Sequence, residues 1–274
     1  MTFGIGQNNV SCSSFGIPTG LSNCALSFAT VTDIRDVNIR IAPQVLMNNL
    51  SGNGLSDKTK AIYPFVSDGY INSRATQHKY NLMNPADTDA AFRLTFSGGW
   101  THSSTGALPN GTTGYANTYL NPNSLLSINS NHQSFYSRTN SAAAIRADIG
   151  GLTVSSYWVI FPLFAATFYG GLMTAAYVTA AATRSDGYFS NCRTASNAAA
   201  IYRNGTSQAT SIVASSALLN GNVFIGAAND SGAANYYANR EIAFATLGSG
   251  LDATDNTNLN SLVTTFQTAL SRNI

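Results

Sequence analysis

Between Asp148 and Arg184 the chain carries no charged residue. A run this long and this neutral has to be buried, either in protein or in lipid. Residues 157–182 exceed the ~20 positions that a membrane helix needs. Pro162 and Gly170-Gly171 divide them, however, and Ser, Thr and Tyr recur throughout. Aromatic and β-branched residues favour strands, so a lipid-embedded helix is set aside and no membrane insertion is expected. The run reads as three sandwich-core strands, 157–161, 164–169 and 173–181, with Gly170-Gly171 as a turn.

Strand signals recur on both sides of this run. Residues 92–97 alternate strictly, which puts Phe92, Leu94 and Phe96 on a core face. A turn-rich excursion follows, through Gly98-Gly99-Trp100-Thr101-His102-Ser103 and Pro109-Asn110-Gly111-Thr112, before the next alternating segment at 133–139. Asn-Gly and paired glycines supply the positive φ that tight turns need. Further on, strand-like runs flank Asn204-Gly205, the strongest local hairpin signal. Residues 223–229 read as the next strand, and 240–245 as another with Ile242 and Phe244 facing inward.

Helical spacing appears at two places. Val45, Leu46 and Leu50 follow Pro43, read as a first-turn proline, and Gly52 and Gly54 end that short helix. Near the C-terminus Leu259, Leu262, Val263, Phe266 and Leu270 form one apolar stripe, with Asp252, Thr254 and Asp255 as N-cap choices. Residues 1–35 are rich in Gly, Ser and Asn and lack a clear period; they read as an assembly arm preceding a single domain over 36–274. The first residues have neither a positive nor an apolar region of the secretory kind.

Only 9% of residues are charged, and the net charge is +2 with no basic run, so no nucleic-acid footprint is expected. Cys12, Cys24 and Cys192 form an odd, sparse set read as free thiols, although Cys12 and Cys24 are spaced to close a loop. Metal-ligand spacing is absent. No cofactor is expected; calcium is left open, since Asp and Asn in turns suit it but no EF-hand-like loop occurs.

Four strings carry a resemblance: Tyr63-Pro64-Phe65-Val66, His78-Lys79-Tyr80-Asn81-Leu82, residues 93–103, and Gly111-Thr112-Thr113-Gly114-Tyr115-Ala116-Asn117-Thr118. Together they resemble a recurring block in tail and other virion proteins of tailed bacteriophages. In those proteins the block belongs to a concanavalin A-like (laminin-G-like) jelly-roll module. The resemblance runs from about Val37 to the C-terminus. It implies an all-β, antiparallel sandwich (jelly roll) with a short N-terminal helix and a C-terminal helix. It also implies a structural virion protein of tail, fibre or capsid decoration, with other virion proteins and copies of itself as partners.

Catalysis is not expected. Glycoside hydrolysis needs two facing carboxylates, and the chain has one glutamate, Glu241, with no carboxylate two or four positions along its strand. Glu241 is read as held by Arg240 or a loop amide, and no Gly-x-Ser-x-Gly elbow occurs. His78 is read as a structural hydrogen-bonding residue. The alternative function is a carbohydrate-binding module that contacts host surface glycans through Trp100, His102 and Tyr115, chosen for residue type and loop placement. A glycosidase acting through Glu241 is a third, weaker alternative.

Overall fold

The structure, a computed structural model, describes residues 23–141 and 144–274. The strands in chain order are β1 (Thr59–Tyr63), β2 (Thr95–Ser97), β3 (Trp100–His102), β4 (Ala107–Pro109), β5 (Tyr115–Asn117), β6 (Asn131–Ser137), β7 (Ile149–Leu152), β8 (Tyr157–Phe164) and β9 (Thr167–Gly171). They continue with β10 (Tyr177–Ala181), β11 (Gly187–Ala195), β12 (Ala198–Arg203), β13 (Thr206–Ser211), β14 (Phe224–Ile225), β15 (Ala228–Asp230), β16 (Ala233–Asn235) and β17 (Ile242–Gly248). The first sheet has the order β13-β12-β11-β6-β17-β4-β3, with β1 also on β17; the second has β10-β9-β8-β7-β14-β5-β2, with β15 also on β7 and β16 on β15. All pairings are antiparallel except that of β15 with β7. The result is a two-sheet, essentially antiparallel β-sandwich.

Alternation along each strand builds the interior. Phe135 and Phe189 from the first sheet meet Trp158, Ile160 and Phe168 from the second in one buried cluster. The Phe168 ring stands edge-on to Phe189 at 5.2 Å between centroids. The neutral run is therefore sheet, as expected, although Gly170-Gly171 lies inside β9 and not in a turn. The reversals on either side fall at Ala165-Ala166, both with positive φ, and at Met173. No helix among the described residues is long and apolar enough to cross a membrane.

The outer face of the first sheet is covered by α1 (Asn23–Thr32), α2 (Val37–Gly52) and, after the short α3 (Arg74–His78) and α4 (Pro122–Leu125), by α5 (Ala253–Ala269). On α5, Leu259, Val263 and Phe266 bury against Phe244, and Asp252 and Asp255 form a capping box. On α2, Asp36 caps the amides of Asn38 and Ile39, so the helix starts upstream of Pro43 and carries that proline inside it. This corrects the first-turn placement: the cap decides the start, and the proline removes only one internal N–H. Residues 1–22 of the expected arm lie outside the described residues. Residues 23–32, where no period was read, are helical, with Cys24 and Phe28 buried on this same cluster and Thr32 buried on the same helical face. Cys24 is disulfide-bonded, which overturns the free-thiol reading for it; Cys12 lies outside the described residues, and Cys192 is a buried free thiol.

Two further readings change. Ile242 faces the sandwich interior, but Phe244 faces the helices, because a β-bulge between them shifts the register against β6. The alternating segment at 92–97 is extended only from Thr95, since Phe92 ends a 3-10 turn at φ +60°. Two of the four strings, 63–66 and 78–82, lie beside a polar hub built on Asn81. Asn81 accepts from the amides of Ile62 and Met83 and donates to the carbonyl of Ala91, while the Tyr63 hydroxyl donates to the carbonyl of Phe92.

Candidate functional site

The two sheets differ in what lies on their outer faces. Helices cover the first, whereas the second carries a small aromatic cluster of its own. On β8, Trp158 and Ile160 point into the sandwich, so Tyr157, Val159 and Phe161 point outward. The same alternation sends Phe168 in and Tyr169 out on β9, and Val178 in and Tyr177 out on β10. Tyr236, just past β16, joins from the other side.

These rings form a connected array centred on Tyr177. Tyr157 stacks on it with centroids 4.7 Å apart and planes at 22°. Tyr169 and Phe161 stand edge-on to it at 5.7 and 6.0 Å, and Tyr236 stands edge-on to Phe161 at 5.5 Å. Gly171 makes the stack possible: it pairs with Tyr177, and a Cβ there would lie 2.7 Å from Tyr157 Cβ. Tyr177 is 37% exposed, so part of this residue stays accessible beside the stack. Burial among its neighbours pushes its phenol up, with Tyr157, Tyr236 and Asp230 adding to the effect. The hydroxyl therefore stays protonated and can both donate and accept. A partly exposed apolar face with polar tips suits a ligand that is flat, weakly apolar and rich in hydroxyls.

The three residues chosen from sequence lie elsewhere. Trp100 and His102 share one side of β3, stacked at 6.0 Å, with Phe96 edge-on to both. The indole N–H of Trp100 donates to the carbonyls of Ser97 and Tyr115, and the ring abuts Gly226, where a Cβ would come within 2.7 Å. Trp100 thus clasps the edge where the two sheets meet. Tyr115 touches Trp100 only through its carbonyl; its own ring lies on Phe224 at 4.7 Å, on the outer face of the second sheet. Packing occupies the faces of Trp100 and His102 more fully than that of Tyr177.

His78, which has no histidine near it in sequence, meets His102 in the fold with Nδ1 atoms 3.0 Å apart. Burial, then the charges of His102, Arg272 and Arg74, depress His78, and burial lowers His102 to about 4. Both rings are neutral near pH 7, one donating to the other. Glu241 is held by Arg138 Nη1 at 2.7 Å and by the hydroxyls of Ser103 and Thr105 at 2.9 and 2.6 Å, in place of the expected Arg240 or loop amide. Arg240 instead pairs with Asp148. Among the described residues no three His, Cys, Asp or Glu side chains converge as metal ligands.

The sequence matches no model of a known protein family and no curated protein. Solved structures share the fold. Domain 4 of AbnA, a GH43 extracellular arabinanase from Geobacillus stearothermophilus solved with arabinotriose, superposes with a TM-score of 0.50 at 14% identity, over 74% of this chain and 98% of that domain. The receptor-binding domain of botulinum neurotoxin C/D mosaic serotype gives 0.51 at 10% identity, over 75% of this chain and 51% of that one. At these identities the likeness establishes the β-sandwich and nothing finer.

Proposed function

We propose that the protein is a non-enzymatic carbohydrate-binding sandwich whose ligand lies on the outer face of the second sheet, against Tyr157 and Tyr177. The observation that carries this reading is the partly exposed stack of those two rings on the sheet face that no helix among the described residues covers. A sugar ring offers C–H groups to an aromatic face and hydroxyls to the phenols around it, the two halves of what this surface provides. The arabinanase domain, solved with a bound trisaccharide, is a precedent for glycan binding on this architecture. The test is a glycan array probed with the wild type, Tyr177→Ala and Trp100→Ala. Loss of binding with Tyr177→Ala and retention with Trp100→Ala supports the face; the opposite pattern moves the site to the β3 corner.

The absence of catalysis belongs to the same proposal. Glu241 spends its two oxygens on Arg138, Ser103 and Thr105 and is poorly placed to exchange protons. Incubation with a bound polysaccharide should release no reducing ends. We further propose that this sandwich is displayed on a tailed-phage virion, assembled with copies of itself and other virion proteins. The four resembling strings support that setting, and they are in contact in the fold: Phe65 packs on His78, Leu94 N–H donates to the Lys79 carbonyl, and Trp100 N–H donates to the Tyr115 carbonyl. Detection of the chain by mass spectrometry in purified particles tests it, and its absence from them refutes it.

A further inference from the structure

Resting on the glycan-binding role proposed above, we infer that the tyrosine face takes uncharged glycans and rejects acidic ones, with Asp230 as the residue that discriminates. The registers place this aspartate on the same face as the rings. Asp230 on β15 pairs with Leu152 on β7, and Leu152 pairs with Tyr157 on β8. Directly paired residues share a face, and Leu152 packs with the outer cluster, so Asp230, Leu152 and Tyr157 form one row across the sheet. At strand spacing, Asp230 lies about 10 Å from Tyr157, within reach of a short oligosaccharide stacked on that ring.

The carboxylate is free to meet a ligand. Asp230 is half-buried and forms no ion pair among the described residues; one oxygen accepts from the Asn235 amide at 3.3 Å. Neither Arg240 nor Arg146 pairs with it. Arg240 is fully buried on Asp148, and Arg146 donates to the carbonyls of Gly111 and Tyr237. An unpaired carboxylate accepts hydrogen bonds from sugar hydroxyls and repels a uronate or sialate carboxylate at the same position. Tyrosines alone would offer both classes the same ring faces and hydroxyls.

The experiment compares a neutral hexose oligosaccharide taken from the array with its C6-carboxylate counterpart, each titrated calorimetrically into the wild type, Asp230→Asn and Tyr177→Ala. The wild type should bind the neutral chain more tightly. Asp230→Asn should narrow the neutral-to-acidic ratio by roughly 3- to 10-fold, and added salt should narrow it in the wild type as well. Tyr177→Ala should weaken both ligands alike. A wild type that binds both ligands equally, or a ratio unmoved by Asp230→Asn, overturns the inference and leaves the binding face standing. Binding unaffected by Tyr177→Ala, or absent for every glycan, overturns the face itself and the inference with it.

Discussion

Removing the guanidinium of Arg240 should cost this protein a large share of its stability. Arg240 and Asp148 are both 0% exposed. Arg240 Nε lies 3.0 and 2.8 Å from the two carboxylate oxygens, Nη2 also donates to the Arg146 carbonyl at 2.8 Å, and Nη1 donates to the Ser141 hydroxyl at 3.1 Å. The pair stands at the starts of β17 and β7 and so ties the first sheet to the one bearing the tyrosine face. Burial pushes the Asp148 carboxyl up even against the pull of Arg240. Arg240→Met strands that carboxyl in the interior, at a cost of about 3–5 kcal/mol. At roughly 2–4 °C per kcal/mol for a domain of this size, Tm should fall by about 6–20 °C. Circular dichroism melts at pH 7 measure it. The double variant Asp148→Leu/Arg240→Met leaves no lone charge and should recover most of the loss. A single-variant shift below about 2 °C, or a double variant as unstable as the two single losses added, would refute the reasoning.

Other expectations concern pH, packing and reactivity. Burial lowers His132 to about 4, although the Ser249 carbonyl lies against its Nδ1, and His78 is depressed in the same direction. A histidine held neutral adds stability that is complete above its unfolded value near 6.5 and is lost as pH falls towards 4, by about 3 kcal/mol for His132. Melts between pH 7.5 and 4.5 should show that decline, and His132→Gln should flatten it. Gly171→Ala should destabilise by about 1–3 kcal/mol and weaken glycan binding as well, because its methyl collides with Tyr157; unchanged melts and titrations would contradict that. Burial raises the Cys192 thiol to about 12, so a thiol-reactive dye should label it only on unfolding.

The features legible in the sequence were those set by neighbours along the chain. Asn204-Gly205 closes the β12–β13 hairpin with φ of +49° and +74°, a geometry the dipeptide itself prefers. The α5 stripe and its aspartate cap are likewise local. The tyrosine face was hidden because β8 is apolar on both sides. Trp158 and Ile160 go inward while Tyr157 and Phe161 go outward, and only a phenolic hydroxyl marks the difference. Non-local partners left no trace either: His78 meets His102 across 24 positions, and Arg138 meets Glu241 across 103. The bulge that turns Phe244 towards the helices is a matter of pairing register, which no pattern within 240–245 records. Trp100 reads in the sequence as an aromatic beside a turn, whereas its clasping role depends on the carbonyls that receive its N–H, one of them 15 positions along the chain.

A crystal structure with an array-selected neutral oligosaccharide bound tests the central claim most directly. A sugar ring should lie in van der Waals contact with the exposed part of the Tyr157–Tyr177 stack, with its chain extending towards Asp230. Density for the sugar at the Trp100 corner or over the helices, with the tyrosine face bare, would contradict it.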